Sequence, residues 1–227
     1  MEKFGGFAMA KGKFIVFEGL NGCGKSTQMK LFGNWLFEQK QSLGREALIV
    51  YTAEPNEGID EYGKRGREIL RSSESPRSKG DLAASLFAAN RRTHGGLISI
   101  LTGNGYDVLS SRYWHSNFAY QAAQGVSFDE IAELNRGCVV PDITFFIDVP
   151  VEWALSKIRG RGQKLKKFER EKEFLESVRK NYYLLSRTLP TLVGDESLVQ
   201  INGVGSVDEV HMRIVKAYCD FLKSLEA

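Results

Sequence analysis

The sequence lacks any uninterrupted apolar run near the ~18 residues that a membrane-spanning helix requires. Its first residues also lack the continuous apolar stretch of a secretory signal, so we expect a cytoplasmic protein without a membrane partner. Cysteine is scarce, because Cys23, Cys138 and Cys219 are widely spaced and form no CxxC pair. This spacing argues against a disulfide framework or a structural zinc site. The three histidines are equally dispersed and indicate no metal cluster.

The composition is that of an ordinary globular protein. Hydrophobic residues make up 42% and charged residues 26% of the 227 positions, which allows one sizeable core. No repeat or linker divides the sequence, so we predict a single domain over residues 13–227 and an N-terminal extension over 1–12. Between Lys157 and Lys180, ten Lys and Arg residues stand against four Glu. Such a segment is typical of a solvated helix face, and it also suits nucleic acid, an acidic membrane or a nucleotide.

Short apolar segments alternate with helical patterns along the chain. The segments rich in Val, Ile, Phe and Tyr predict five strands, at 13–18, 46–52, 106–110, 144–149 and 198–201. This alternation predicts an α/β fold with a parallel five-stranded sheet and helices on both of its faces. In such sheets ligands bind beyond the carboxyl ends of the strands, so the functional residues should follow strands.

The helical patterns predict which faces are buried and where some helices begin. Apolar stripes are predicted at Met29, Phe32 and Leu36, at Leu82, Leu86 and Ala89, and at Val207, Val210, Ile214, Phe221 and Leu222. Ser127 and Ser206 each precede a Glu by three positions, so both predict a capping box at a helix start.

A phosphate-binding pattern follows the first predicted strand directly. The segment matches G-x-x-x-x-G-K-[ST] in full, with a predicted strand before it and a predicted helix after it. Its glycines let backbone N–H groups turn towards an anion, while Lys25 would reach the β- and γ-phosphates and the Ser26 hydroxyl would bind Mg²⁺. We therefore predict a nucleoside triphosphate site formed by Gly19, Leu20, Asn21, Gly22, Cys23, Gly24, Lys25, Ser26 and Thr27.

Four further motifs follow in the chain. They read AEPNEG at 53–58, LFAANR at 86–91, SRYWHSNFAYQ at 111–121 and PDITFFIDVP at 141–150. Together with the opening FIVFEGLNGCGKSTQ, their order and spacing resemble the thymidylate kinases, a family of P-loop nucleoside monophosphate kinases. The resemblance extends from about Lys13 to the C-terminal helix.

The resemblance implies a P-loop NTPase-type fold with a short basic lid at about 159–169. It implies transfer of the γ-phosphoryl group of ATP to dTMP, giving dTDP and ADP for dTTP synthesis, with Mg²⁺ as cofactor. It also implies a homodimer and no nucleic-acid partner. The lid would supply a catalytic cation beside Lys25 and Arg112, with Arg159, Arg161 and Lys167 as the candidates.

The resemblance also implies roles at the acceptor. Phe87 would stack on the thymine ring, Arg91 would donate to a base carbonyl, and Arg112 would hold the acceptor phosphate. Tyr120 would pack on the sugar where a 2′-hydroxyl would clash. The implied substrate site is completed by Glu54, Pro55, Ser116, Asn117 and Gln121. From the residues alone, a core Phe87 beside a surface Arg91 is the favoured reading, and a structural ion pair is the alternative role for Arg112.

Two positions depart from the family pattern. Asn21 and Ser111 stand where the family usually carries carboxylates. Glu18, just before the phosphate loop, is therefore a candidate additional ligand of Mg²⁺. The departures leave open a kinase for another nucleoside monophosphate, or a nucleotide-binding homologue with weakened catalysis. Nucleic-acid binding through the lid is a third alternative.

Overall fold

The computed structural model describes residues 11–160, 162, 165 and 167–226, without the side chain of Lys167. Among these residues, five parallel strands form one sheet in the order β2-β3-β1-β4-β5. The strands are β1 Phe14–Glu18, β2 Ile49–Ala53, β3 Asp107–Ser111, β4 Ile143–Asp148 and β5 Leu198–Asn202. All five predicted strands are confirmed, with ends that move by no more than three residues.

Helices cover both faces of this sheet. Their bounds are α1 Lys25–Ser42, α2 Glu61–Arg71, α3 Gly80–Gly103, α4 Trp114–Ala123, α5 Phe128–Leu134, α6 Val151–Gly160, α7 Lys172–Val193 and α8 Val207–Ser224. Both predicted capping boxes are confirmed at the starts of α5 and α8, where a serine side chain accepts from the third backbone N–H of the helix. A short 3₁₀ helix, Lys167–Arg170, precedes α7.

The central strands lie in the core. Every residue of β1 and β4 is buried, which explains why these strands are apolar, with the exception of Thr144, until each ends in a carboxylate. The ring centroid of Phe17 lies 5.3 Å from that of Phe145 and 5.7 Å from that of Phe32 on α1. Aromatic packing of this kind fixes α1, and hence the loop before it, against the sheet.

The predicted apolar stripe on α3 is confirmed at Leu86 but not at Leu82. Leu82 is 43% exposed, whereas Phe87, Arg91 and His94 are buried. The inward face of α3 therefore carries charged and polar groups, whose partners are described below. The predicted stripe on α1 is confirmed, while on α8 Val207 is 51% exposed and Val210 and Ile214 are buried.

The order of the strands in the sheet determines where the candidate site lies. Because β1 lies between β3 and β4, the loops that follow β1 and β3 meet at the same edge of the sheet. The loop after β2 joins them, since the Glu54 backbone N–H donates to the Ser111 carbonyl at 3.1 Å. None of the described helices combines the length and the apolar character needed to cross a membrane.

Candidate active site

The phosphate loop joins β1 to α1, and its glycines are required by conformation and by space. Gly19, Gly22 and Gly24 have φ of 135°, 87° and 98°. A Cβ at Gly22 would also lie 2.4 Å from the Ala154 carbonyl oxygen, and a Cβ at Gly19 would lie 2.5 Å from that of Ile147. Only glycine fits these positions, so the loop's tight path follows directly from the sequence.

Lys25 begins α1 and turns back into the loop. Its Nζ donates to the carbonyl oxygens of Gly19 and Leu20, both at 2.8 Å. Burial, followed by the nearby Arg112 guanidinium, lowers the pKa of Lys25 to about 8. Ser26 and Thr27 are exposed beside it. The loop thus holds a buried amine whose pKa a bound anion would raise towards its ordinary value, next to two accessible hydroxyls.

Arg112 follows β3 in a left-handed conformation, with φ of 77°. Its guanidinium donates to Ser116 Oγ and to Asn21 Oδ1, each at 2.7 Å. It also lies over the Tyr120 ring at 5.1 Å from the centroid. A non-glycine residue in this conformation is rare, and such strain is typical of functional positions. The side chain therefore lies directly beside the phosphate loop.

Glu18 anchors the segment that carries Arg112. Its buried carboxylate accepts from the backbone N–H groups of Tyr113 at 2.8 Å and Ser116 at 3.1 Å. It also accepts from Ser116 Oγ at 2.7 Å and from the Tyr182 hydroxyl at 2.8 Å. Both carboxylate oxygens are thus engaged in hydrogen bonds. This geometry disagrees with the expectation that Glu18 binds Mg²⁺, because it gives the carboxylate a positioning role.

A cavity of about 560 Å³ opens next to Arg112 and the phosphate loop. Its lining includes every residue predicted at the acceptor: Glu54, Pro55, Phe87, Arg91, Arg112, Ser116, Asn117, Tyr120 and Gln121. Asn21 and Ser111 also line it. The loops after β1, β2 and β3 and the helices α3 and α4 therefore converge on one space large enough for a small ligand.

Arg91 is held rigidly at one wall of this cavity. Its Nε and Nη2 both lie 2.7 Å from Glu54 Oε2, and Nη1 donates to Asn135 Oδ1. The other Glu54 oxygen lies 3.0 Å from His94 Nδ1. Because Glu54 and Arg91 are both buried, removing either would leave an unpaired charge in the interior. Glu54 thus acts on the cavity by fixing Arg91.

Asn117 on α4 lines the same cavity. Its Nδ2 donates to the Ala84 carbonyl at 3.2 Å, which fixes the orientation of the amide. Its Oδ1 is buried and has no hydrogen-bond partner among the residues that the structure describes. A buried acceptor without a partner is costly, so it indicates a donor supplied by a ligand.

Known proteins share this chain's sequence and fold. A family model described as thymidylate kinase matches residues 17–214. The probable thymidylate kinase of Thermococcus kodakarensis is 35% identical over 209 residues, covering 89% of this chain and 95% of that protein. The thymidylate kinase of Fervidobacterium nodosum is 32% identical over 215 residues, covering 92% of this chain and 100% of that protein. The chain belongs to the thymidylate kinase family.

A solved structure of the family agrees with the fold. The thymidylate kinase from Ehrlichia chaffeensis matches with a TM-score of 0.66 at 25% sequence identity, covering 92% of this chain and 98% of that chain. The five-stranded parallel sheet, with its phosphate loop between β1 and α1, is thus the P-loop fold of thymidylate kinases.

Residues in and beside the cavity to which the sequence analysis gave no role at the acceptor include Arg67, Phe168 and Glu169. Arg67 on α2 lines the cavity, and its buried Nε has no partner within the described part of the chain. Burial, with Arg112 nearby, lowers the pKa of Arg67. Phe168 places its ring centroid 5.3 Å from that of Tyr120. Glu169 contacts the phosphate loop. Nothing in the sequence separates Arg67 from Arg71, which follows it on the same helix.

The lid of the kinase is described only in part. Arg159 is exposed in the last turn of α6. Arg161 and the side chain of Lys167 lie outside the described residues. The 3₁₀ helix Lys167–Arg170 brings the lid back to the cavity, where Leu165, Phe168 and Arg170 form part of the lining. These three residues therefore form one side of the predicted acceptor space.

Proposed function

We propose that this thymidylate kinase transfers the γ-phosphoryl group of ATP to dTMP, with ATP on the phosphate loop and dTMP in the cavity. The observation that carries the acceptor assignment is the pairing of a fixed donor, Arg91, with a fixed acceptor, Asn117 Oδ1, beside the ring of Phe87. Thymine offers a carbonyl acceptor next to an N–H donor and a flat face. Cytosine has an acceptor in place of that N–H, so its pairing with Asn117 would fail.

The phosphates would be held by cations that the fold has already buried. We assign the acceptor phosphate to Arg112, with Arg67 as a second donor, and the β- and γ-phosphates of ATP to Lys25. Phosphoryl transfer depends mainly on positioning and on stabilising negative charge, which these groups provide. In the lid, Arg159 or Arg161 would add positive charge over the transferred group.

Tyr120 is our candidate for discrimination against ribonucleotides. Its buried ring lies between the Arg112 guanidinium and Phe168, with little freedom to move. A sugar packed on this ring would have no room for a 2′-hydroxyl. Ser116 and Gln121 complete the surrounding wall, and Pro55 follows Glu54 at the mouth of the cavity.

The residues present fit Mg²⁺ bound mainly through phosphates. Ser26 carries an exposed hydroxyl at the start of α1, where a P-loop Ser or Thr binds the ion. Within the described ranges, no three His, Cys, Asp or Glu side chains group as metal ligands. Mg²⁺ in kinases commonly keeps several waters and takes few protein ligands, so one hydroxyl is consistent with it. When bound, Mg²⁺ would neutralise charge on the phosphates.

The setting of the enzyme is also a proposal. Three free thiols suit the reducing cytoplasm. On α3, Leu97 is 46% and Ile100 is 64% exposed, which supports a homodimer formed through that helix. We assign residues 13–227 to a single kinase domain, and the lid's basic charge to nucleotide phosphates in preference to nucleic acid.

A panel of nucleoside monophosphates tests the proposed reaction. Coupled ADP-release assays with ATP and Mg²⁺ should give the highest kcat/KM for dTMP, a lower value for dUMP, and far lower values for dCMP and for the ribonucleotide UMP. Comparable turnover of dCMP would overturn the assignment of Arg91 and Asn117. Nucleotide binding without turnover of any acceptor would favour the alternative of a homologue with weakened catalysis.

A further inference from the structure

Asn21 joins two parts of the site that lie far apart in the chain. Its Oδ1 accepts from Arg112 Nη2 at 2.7 Å, and its Nδ2 donates to Glu169 Oε1 at 2.8 Å. Glu169 belongs to the 3₁₀ helix of the lid and is buried. A single amide thus connects the lid, the phosphate loop and the arginine that we assign to the acceptor phosphate.

The amide is chemically matched to both neighbours. Arg112 can only donate hydrogen bonds, so it needs the carbonyl end of Asn21. The ionised Glu169 carboxylate can only accept, so it needs the NH₂ end. An aspartate at position 21 would still accept from Arg112, but it would place a second negative charge against Glu169. The junction therefore requires that positions 21 and 169 do not both carry a negative charge.

The same turn of the lid contacts the acceptor cavity at a second point. The Phe168 ring stacks on Phe174, with centroids 5.3 Å apart, and meets the Tyr120 ring at the same distance. Tyr120 in turn lies under Arg112. The 3₁₀ helix is thus fixed by apolar packing beside the point where Glu169 reaches Asn21, which limits the directions in which its carboxylate can lie.

We propose that Glu169 is a positioning residue for phosphoryl transfer: it holds the 3₁₀ helix Lys167–Arg170 against the phosphate loop and, through Asn21, orients Arg112. This inference rests on the proposed role of Arg112 at the acceptor phosphate. Glu18 fixes the backbone that carries Arg112, while the link from Glu169 fixes one edge of its guanidinium. Transfer would therefore be efficient only when the lid is in place.

A charge-exchange experiment tests the link. Asn21→Asp should lower kcat by at least about tenfold, which corresponds to about 1.4 kcal/mol, and should raise the KM for dTMP. The double variant Asn21→Asp/Glu169→Gln exchanges the two groups and should return kcat to within about threefold of the wild type.

Controls separate this role from general stability. Glu169→Gln keeps an acceptor oxygen but loses the charge, so it should lose less activity than Glu169→Ala, which removes the acceptor altogether. Glu173→Gln makes the same charge change on an exposed residue of α7 and should change nothing. Thermal unfolding of each variant shows whether it folds. The inference is overturned if the double variant is no more active than Asn21→Asp, or if Glu169→Ala matches the wild type.

A failure of the proposed acceptor site would look different. Arg112→Ala should raise the KM for dTMP and lower kcat. If it changes neither, the assignment of Arg112 itself is wrong. If Arg112→Ala impairs transfer but the charge exchange does not rescue Asn21→Asp, only the role of Glu169 fails.

Discussion

Lys25 should make the stability of the free protein depend on pH in an unusual direction. Burial lowers the pKa of its ammonium from 10.5 to about 8. The native state therefore binds fewer protons than the unfolded chain between these values, so stability increases as the pH rises through this window. The cost is fully present below pH 8 and disappears above the unfolded pKa. Replacing Lys25 by an uncharged residue should remove this cost to stability.

The magnitude follows from the same two pKa values. The linkage relation gives a cost of about 3 kcal/mol near neutral pH, which falls by about 1 kcal/mol by about pH 9. For a chain of this length, about 1 kcal/mol corresponds to about 3 °C in Tm. Between neutral pH and about pH 9, the Tm of the wild type should thus rise by about 3 °C relative to the Tm of Lys25→Met.

Lys25→Met leaves the carbonyl groups of Gly19 and Leu20 without their donor, but that effect does not depend on pH. Scanning calorimetry of both proteins over a pH series measures the difference. Lys30→Met removes an exposed lysine of the same helix and is the matched control for losing one positive charge. The reasoning would be refuted if the Tm difference between wild type and Lys25→Met stays constant with pH, or if the wild type loses Tm relative to the variant as the pH rises.

Phosphoryl transfer by Lys25→Met should fall by at least about a hundredfold.

Three further outcomes are expected. Arg91→Ala should raise the KM for dTMP while leaving that for ATP nearly unchanged, and Arg92→Ala, an exposed neighbour, should affect neither; equal changes for both nucleotides would contradict the role of Arg91. Ser111→Asp should raise kcat by about tenfold at saturating Mg²⁺, since a carboxylate there would steady Mg²⁺ and the reacting phosphates; a fall in kcat would show that the site is built around the serine. Ile100→Asp should convert the proposed dimer to a monomer in sedimentation experiments. A wild type that is already monomeric would contradict the proposed dimer through α3.

The fold and the phosphate loop could be predicted because their signals are local. Short apolar runs that alternate with helical patterns indicate strands, and all five such segments form strands here. The glycine spacing of the loop, ending in Lys25, reflects conformations that each glycine must adopt at its own position. The resemblance to a family then brought the acceptor residues together, and the structure places all of them around one cavity.

The support of the site could not be predicted in this way. Glu169 meets Asn21 across 148 positions, and Tyr182 meets Glu18 across 164. Neither contact leaves a periodicity or a spacing in the sequence, because each depends on how α7 and the lid pack against the sheet. Glu18 was assigned to a metal for the same reason: a carboxylate next to a phosphate loop suggests Mg²⁺ until its hydrogen-bond partners are known.

The positions where charged residues are buried against the hydrophobic pattern lie where ligands are expected. On α3, Arg91 occupies an inward position that an apolar stripe would fill, and Glu54 compensates its charge. Around the phosphate loop, Lys25 and Arg67 both have lowered pKa values through burial, and Arg112 holds a rare backbone conformation. Each of these features destabilises the free protein, and each favours the binding of an anion among them. Phosphate groups of two nucleotides would offset these costs together, which explains why the chain retains them.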